Sequence, residues 1–136
     1  MTENEIGRIV VDTAVKVHKG LGPGLLESVY EVVLAKQLQK RGLFIQRQVP
    51  IPVAFEDDTF DEGFRADILV NECVILELKA VEQLHPVHAK QIQTYLKLTG
   101  YRLGYLLNFN EALMKSGIVR CVNGLPDDPD FTTFAP

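Results

Sequence analysis

The six residues Val74-Ile75-Leu76-Glu77-Leu78-Lys79 constrain this chain more than any other stretch. The run is apolar and β-branched, so it reads as a buried strand. Yet it carries a carboxylate and an ammonium two residues apart. Side chains alternate across a strand, so Glu77 and Lys79 share one face and Leu78 takes the other. Two charges on one face are costly to bury unless they pair or hold a metal. Upstream, Phe64-Arg65-Ala66-Asp67-Ile68-Leu69-Val70 is also strand-like, and Asn71-Glu72 can turn the chain back. A hairpin of these two strands brings Asp67 beside Glu77. Two carboxylates beside one lysine form the minimal set for a divalent cation and an activated water.

The flanking sequence supplies a frame for that hairpin. Thr2-Glu3-Asn4-Glu5 is a capping-box pattern, and Ile6, Ile9, Val10, Ala14 and Val17 follow at helical spacing. A first helix is therefore predicted over about 3–19. The glycine-rich break 19–24 follows, then a second helix over about 25–41, which Gly42 can end. Phe44 to Pro50 reads as a strand that Val53-Ala54-Phe55 continues, with Pro50 and Pro52 marking an edge or bulge. Pro86 opens a helix over about 86–99, and Gly100 closes it. Strands are predicted at 101–107 and 118–122. The order α-α-β-β-β-β-α-β-β implies one α/β domain with a mixed sheet.

Charge narrows the function classes. The net charge of -4 argues at first against a nucleic-acid partner. Its distribution changes that reading. Five acids and no base fall in residues 56–62, which are expected to form an exposed hairpin turn, and Asp127, Asp128 and Asp130 fall in the tail. Setting these eight aside leaves 10 acids against 14 bases, so the body can offer a mildly basic face. No apolar run is long enough for a transmembrane helix. The N-terminus is acidic and polar rather than signal-like, and Cys73 and Cys121 lack the spacing of a zinc site. The expected location is the cytoplasm, with no membrane partner.

Four motifs then fall in order: Gly24-Leu25-Leu26-Glu27-Ser28-Val29-Tyr30, Gly63-Phe64-Arg65-Ala66-Asp67, Glu77-Leu78-Lys79, and Gln91-Ile92-Gln93-Thr94-Tyr95. This series resembles the PD-(D/E)XK nuclease superfamily and its RecB-type exonuclease domains. The first motif, with Leu106-Leu107-Asn108-Phe109, is similar to the small GxxExxY family of that superfamily. The residue before Asp67 is Ala66 rather than the proline of the superfamily's name.

The resemblance covers about residues 5–122. It implies a restriction-endonuclease-like core, a mixed β-sheet flanked by helices, as a nuclease-like domain over 1–124. An acidic, proline-containing tail follows over 125–136. It also implies the site. Asp67, Glu77 and the backbone carbonyl of Leu78 would hold Mg2+ or Mn2+. Glu27 would complete the acidic cluster through water or a second metal. Lys79 would orient the attacking water or stabilise phosphate charge, and Gln91 would position Lys79 or the substrate strand. Tyr95 would buttress Gln91 from one turn further along. The implied partner is nucleic acid, DNA ahead of RNA, and by analogy a second copy of the chain. The competing class is a non-catalytic nucleic-acid-binding or regulatory module on the same fold.

Taken singly, these residues have plainer readings. Glu27 alone is a solvated glutamate at a helix N-terminus. Asp67 alone can pair with Arg65 on its own strand face, and Glu77 with Lys79 can be an exposed strand face. Gln91 and Tyr95 alone are helix surface and core edge. His85-Pro86-Val87-His88 has zinc-like spacing, but Pro86 starts the helix, so His88 is expected to sit near the cleft and contact phosphate. Gly20, Gly22 and Gly24 do not follow a strand and so are not a dinucleotide loop. The four tyrosines suit core or cleft edge better than a base-stacking platform.

Overall fold

The computed structural model describes residues 1–127, with Glu62 by its backbone alone. Helix α1 spans Glu3–Leu21, and the Thr2 hydroxyl accepts the Glu5 N–H at 3.1 Å to cap it. Helix α2 spans Glu27–Lys40. Three strands follow: β1, Ile45–Phe55; β2, Asp58–Val70; and β3, Val74–Lys79. Helix α3, Pro86–Thr99, leads to β4, Leu103–Asn108, and a turn of 3-10 helix precedes β5, Ile118–Val122. The strands lie in the sheet in chain order. β3 and β4 are parallel, joined across α3, and every other pairing is antiparallel. The fold is α/β, a mixed sheet flanked by helices, consistent with the restriction-endonuclease-like core.

Each face of the sheet is covered differently. Ile6, Val10, Ala14 and Val17 of α1, with Tyr30, Leu34 and Leu38 of α2, close over Ile68, Val70, Leu76 and Leu78. On the other face Ile92 and Leu96 of α3 pack on Leu69, Ile75, Leu106 and Cys121. A fully buried Leu or Ile contributes roughly 1.5–3 kcal/mol, so these two side chains are a large part of what holds α3 down. Gly104 permits the close approach: a Cβ there would lie 3.0 Å from Ile92 and 3.3 Å from the Ile75 carbonyl oxygen. Alternation along β3 sends Val74, Leu76 and Leu78 to the α1–α2 side. Glu77 and Lys79 therefore face the α3 side.

Several boundaries differ from expectation, each for a physical reason. The two predicted segments 44–50 and 53–55 form one strand, because β1 is at the sheet edge, where proline's missing N–H costs nothing. Its register shifts between Ile51 and Val53, at Pro52. Gly63 faces that shift; a Cβ there would meet the Val53 side chain and lie 2.9 Å from the Ile51 carbonyl oxygen. The acidic turn is confined to Glu56 and Asp57, while Asp58, Asp61 and the backbone of Glu62 belong to β2. These exposed strand ends continue beyond β3, so solvent accepts the acids. The strand predicted from Tyr101 begins at Leu103. Asn123 ties down the preceding segment, its amide donating to the Leu96 and Tyr101 carbonyls at 3.1 and 3.3 Å. Leu125 packs against the core, and the expected tail beyond Asp127 lies outside the described residues.

Candidate active site

The site forms where β2 and β3 stop pairing. Their ladder runs Val70–Val74, Leu69–Ile75 and Ile68–Leu76, and ends there. Asp67 and Glu77 would make the next rung. Instead, the Asp67 N–H donates to Glu77 Oε1 at 3.4 Å, and the Leu78 N–H donates to Asp67 Oδ2 at 2.8 Å. The two carboxylates thus stand in for the missing backbone acceptors. The Asn71–Glu72 turn sets this register: both residues have positive φ, 49° and 56°, and the Cys73 N–H closes on the Val70 carbonyl at 3.0 Å.

The other side of β2 opens at the same level. Pairing with β1 passes from Arg47–Ile68 to Val49–Ala66 and omits Gln48 and Asp67. Gln48 has φ 52°, in the left-handed region, and the Arg65 guanidinium donates to its carbonyl at 2.9 Å. Arg65 is therefore used on the backbone of β1, where the plainer reading of Asp67 would have paired the two. The Gln48 amide donates to Glu31 Oε1 at 2.7 Å and to Asp67 Oδ1 at 3.3 Å. Arg47 donates to Glu31 Oε2 through Nε at 2.9 Å and is 2.8 Å away through Nη2.

Burial and like charge act together on Glu77. Desolvation first, and the Asp67 carboxylate second, raise its carboxyl pKa to about 8. Its hydrogen bond from the Asp67 N–H and the Lys79 charge pull it down, and Glu31 pushes it further up. Lys79 is half-buried. Its charge, after desolvation, also helps lower the pKa of His88, whereas Glu27 acts to raise it. Tyr95 stacks on Phe64 with ring centroids 3.7 Å apart, and burial and then the Glu77 charge raise its phenol pKa.

The structure brings Asp67, Glu77 and Lys79 together and sets Tyr95 and His88 beside them. Gln91 is exposed on α3. Glu27 is exposed at the first position of α2, and the helix carboxylate that Glu77 feels is Glu31. His85 and His88 engage each other, with the His85 N–H donating to His88 Nδ1 at 3.3 Å. Beside them lies a cavity of about 580 Å³ lined by Val81, Glu82, Gln83, His85 and His88. The buried Asn108 amide fixes the backbone at its entrance, accepting the Val81 N–H at 3.1 Å and donating to the Val81 carbonyl at 3.0 Å.

Glu31 and Gln48 escaped the sequence reading. Glu31 had a signal: it precedes Leu34 and Leu38 by three and seven residues, so it is a carboxylate on a buried stripe. Gln48 had none, because glutamine does not announce a positive φ.

The glycine-to-tyrosine motif is chiefly structural. Tyr30 is buried and stacks on Phe109, with ring centroids 4.6 Å apart. Its hydroxyl donates to the Gly22 carbonyl at 2.6 Å and accepts the Leu25 N–H at 3.1 Å. Gly22 and Gly24 have φ of 72° and 104°, which suits glycine in the turn that tyrosine ties. Tyr30→Phe is expected to lower stability by about 1–2 kcal/mol in denaturant unfolding, because two backbone groups lose their partner. An unchanged midpoint would mean that water replaces the hydroxyl.

The donor chemistry fits a hard divalent cation. Asp67 and Glu77 supply oxygen, and the like-charge repulsion that adds to burial in raising the Glu77 pKa is what a cation would relieve. Among the described residues no three His, Cys, Asp or Glu side chains converge on an ion position. Two carboxylates completed by backbone oxygen and water match magnesium's usual habit. A family model described as the PD-(D/E)XK nuclease superfamily matches residues 4–121. No curated protein and no solved structure matches the chain.

Proposed function

Because the chain belongs to the PD-(D/E)XK nuclease superfamily, we propose that it is a metal-dependent nuclease of the GxxExxY type, hydrolysing phosphodiester bonds. The observation that carries this reading is the facing pair Asp67 and Glu77 at the split in the sheet, with Lys79 next on the same face. Asp67, Glu77 and the Leu78 carbonyl would hold Mg2+ or Mn2+, with Glu27 reaching it only through water. The bound ion supplies charge neutralisation at the phosphate and a more acidic water. Lys79 holds that water or a non-bridging phosphate oxygen. Hydrolysis joins the water oxygen to phosphorus and breaks the bond to the leaving sugar oxygen. His88 contacts a neighbouring phosphate, Gln91 meets the substrate strand, and Tyr95 shields Glu77.

The proposed substrate is nucleic acid, DNA ahead of RNA, and a homodimer is proposed by analogy. None of the helices among the described residues is long and apolar enough to cross a membrane; a cytoplasmic location is part of this proposal. The exposed acids Glu56, Asp57, Asp58 and Asp61 favour a second reading, a regulatory module that binds without cutting. Single-turnover cleavage of single- and double-stranded DNA and RNA, with magnesium or manganese, separates the two. Cleavage by the native chain and none by Asp67→Asn is the expected result. Metal binding with no cleavage of any substrate would select the regulatory module.

A further inference from the structure

We propose that Gln48 is a positioning residue, which holds the Asp67 carboxylate in the orientation that a divalent cation requires. The inference rests on reading Asp67 and Glu77 as the cation site. Three features of the backbone and its contacts carry it.

First, β1 leaves regular pairing with β2 at Gln48, and a non-glycine residue at positive φ is strained. The Arg65 guanidinium of β2 holds the Gln48 carbonyl at 2.9 Å, so the departure is supported by the neighbouring strand. Such strain persists only where the surroundings impose it.

Second, the departure brings the amide between two carboxylates. One nitrogen donates to Glu31 Oε1 at 2.7 Å and to Asp67 Oδ1 at 3.3 Å. Its two hydrogens suffice for both bonds. Glu31 is itself immobilised from behind by Arg47, at 2.8–2.9 Å. Helix α2 thereby anchors the amide, and the amide anchors Asp67. With Leu78 N–H on Oδ2, both Asp67 oxygens have a fixed donor. Each oxygen retains a second lone pair for an ion.

Third, the donor is neutral. A lysine or arginine at this position would orient Asp67 equally well but would neutralise it and compete with the cation. An amide orients the carboxylate without cancelling its charge. Gln48 is exposed and adds little to the core.

The test is calorimetric titration of Mn2+ into the native chain, Gln48→Met and Gln48→Lys, with melting of each in chelator. Gln48→Met keeps the length without the donor. It should weaken Mn2+ binding about tenfold, the scale of one hydrogen bond to a charged group, with the metal-free melting temperature nearly unchanged. Gln48→Lys should raise the metal-free melting temperature and also weaken Mn2+ binding. A purely structural residue would move affinity and melting in the same direction. Should Gln48→Met not fold, Gln48→Gly replaces it, since glycine accepts the positive φ. Native affinity in these variants overturns the proposal while leaving the cation site intact. Absence of Mn2+ binding by the native chain overturns both.

Discussion

Glu77→Gln is expected to abolish divalent-dependent cleavage and, in chelator at pH 8, to raise the melting temperature. The loss of activity should be roughly a thousandfold or more, the scale of removing one preorganised electrostatic group. The gain in stability follows from burial. The Glu77 carboxyl is raised from 4.5 to about 8 in the metal-free fold, by desolvation first and Asp67 second. Between those two pH values the folded chain binds a proton that the unfolded chain has released. Stability from this group therefore falls as pH rises through that window, and the full penalty applies above it. It amounts to a few kcal/mol. Glutamine has the same shape, accepts the Asp67 N–H and carries no charge. Its melting temperature should exceed the native one by roughly 5–10 °C at pH 8 and match it near pH 5. A difference that does not vary with pH would show that Glu77 is not protonated by its surroundings.

Lys79→Met is the second large effect, and it divides activity from folding in the opposite way. Lys79 is only half-buried, and among the described residues its ammonium forms no ion pair. Its stem continues the strand opposite Asn108, and methionine can fill that space. The melting temperature should stay within about 2 °C, as for most changes outside a core or a buried network. Cleavage should fall by about a thousandfold, since no other cation stands on the Glu77 face of β3. Circular dichroism melting and single-turnover cleavage on one preparation decide it. If the variant unfolds instead, the lysine belongs to a buried ion pair and is structural.

What could be read from the sequence was what strand geometry dictates. Alternation placed Glu77 and Lys79 on one face, and the Asn71–Glu72 turn fixed the register that sets Asp67 across from Glu77. Pro86 and Gly100 bounded α3 within a residue of where it lies. Pro50 and Pro52 marked an edge or bulge, and β1 is an edge strand whose register shifts at Pro52. The misses share a cause. Glu31 reaches the site only because α2 packs across the start of β1, and Gln48 only because the backbone there leaves the ladder. The buried stripe of α2 hinted at Glu31, but its contact with the site, like that of Gln48, depends on tertiary packing. Glu27 was legible as a motif residue, yet its place at the head of α2 leaves it in solvent.

The exchange of backbone rungs for carboxylates has an evolutionary consequence. At the split, Asp67 and Glu77 accept the N–H groups of Leu78 and Asp67, so each side chain serves the fold as well as any chemistry. A lineage that lost the reaction would still be selected to keep an oxygen at both positions, because a buried N–H without an acceptor is destabilising. Aspartate, glutamate or their amides would all satisfy that demand. Lys79 answers to no such demand. In descendants of this architecture the carboxylates would outlast the activity, and the lysine would be the first to drift.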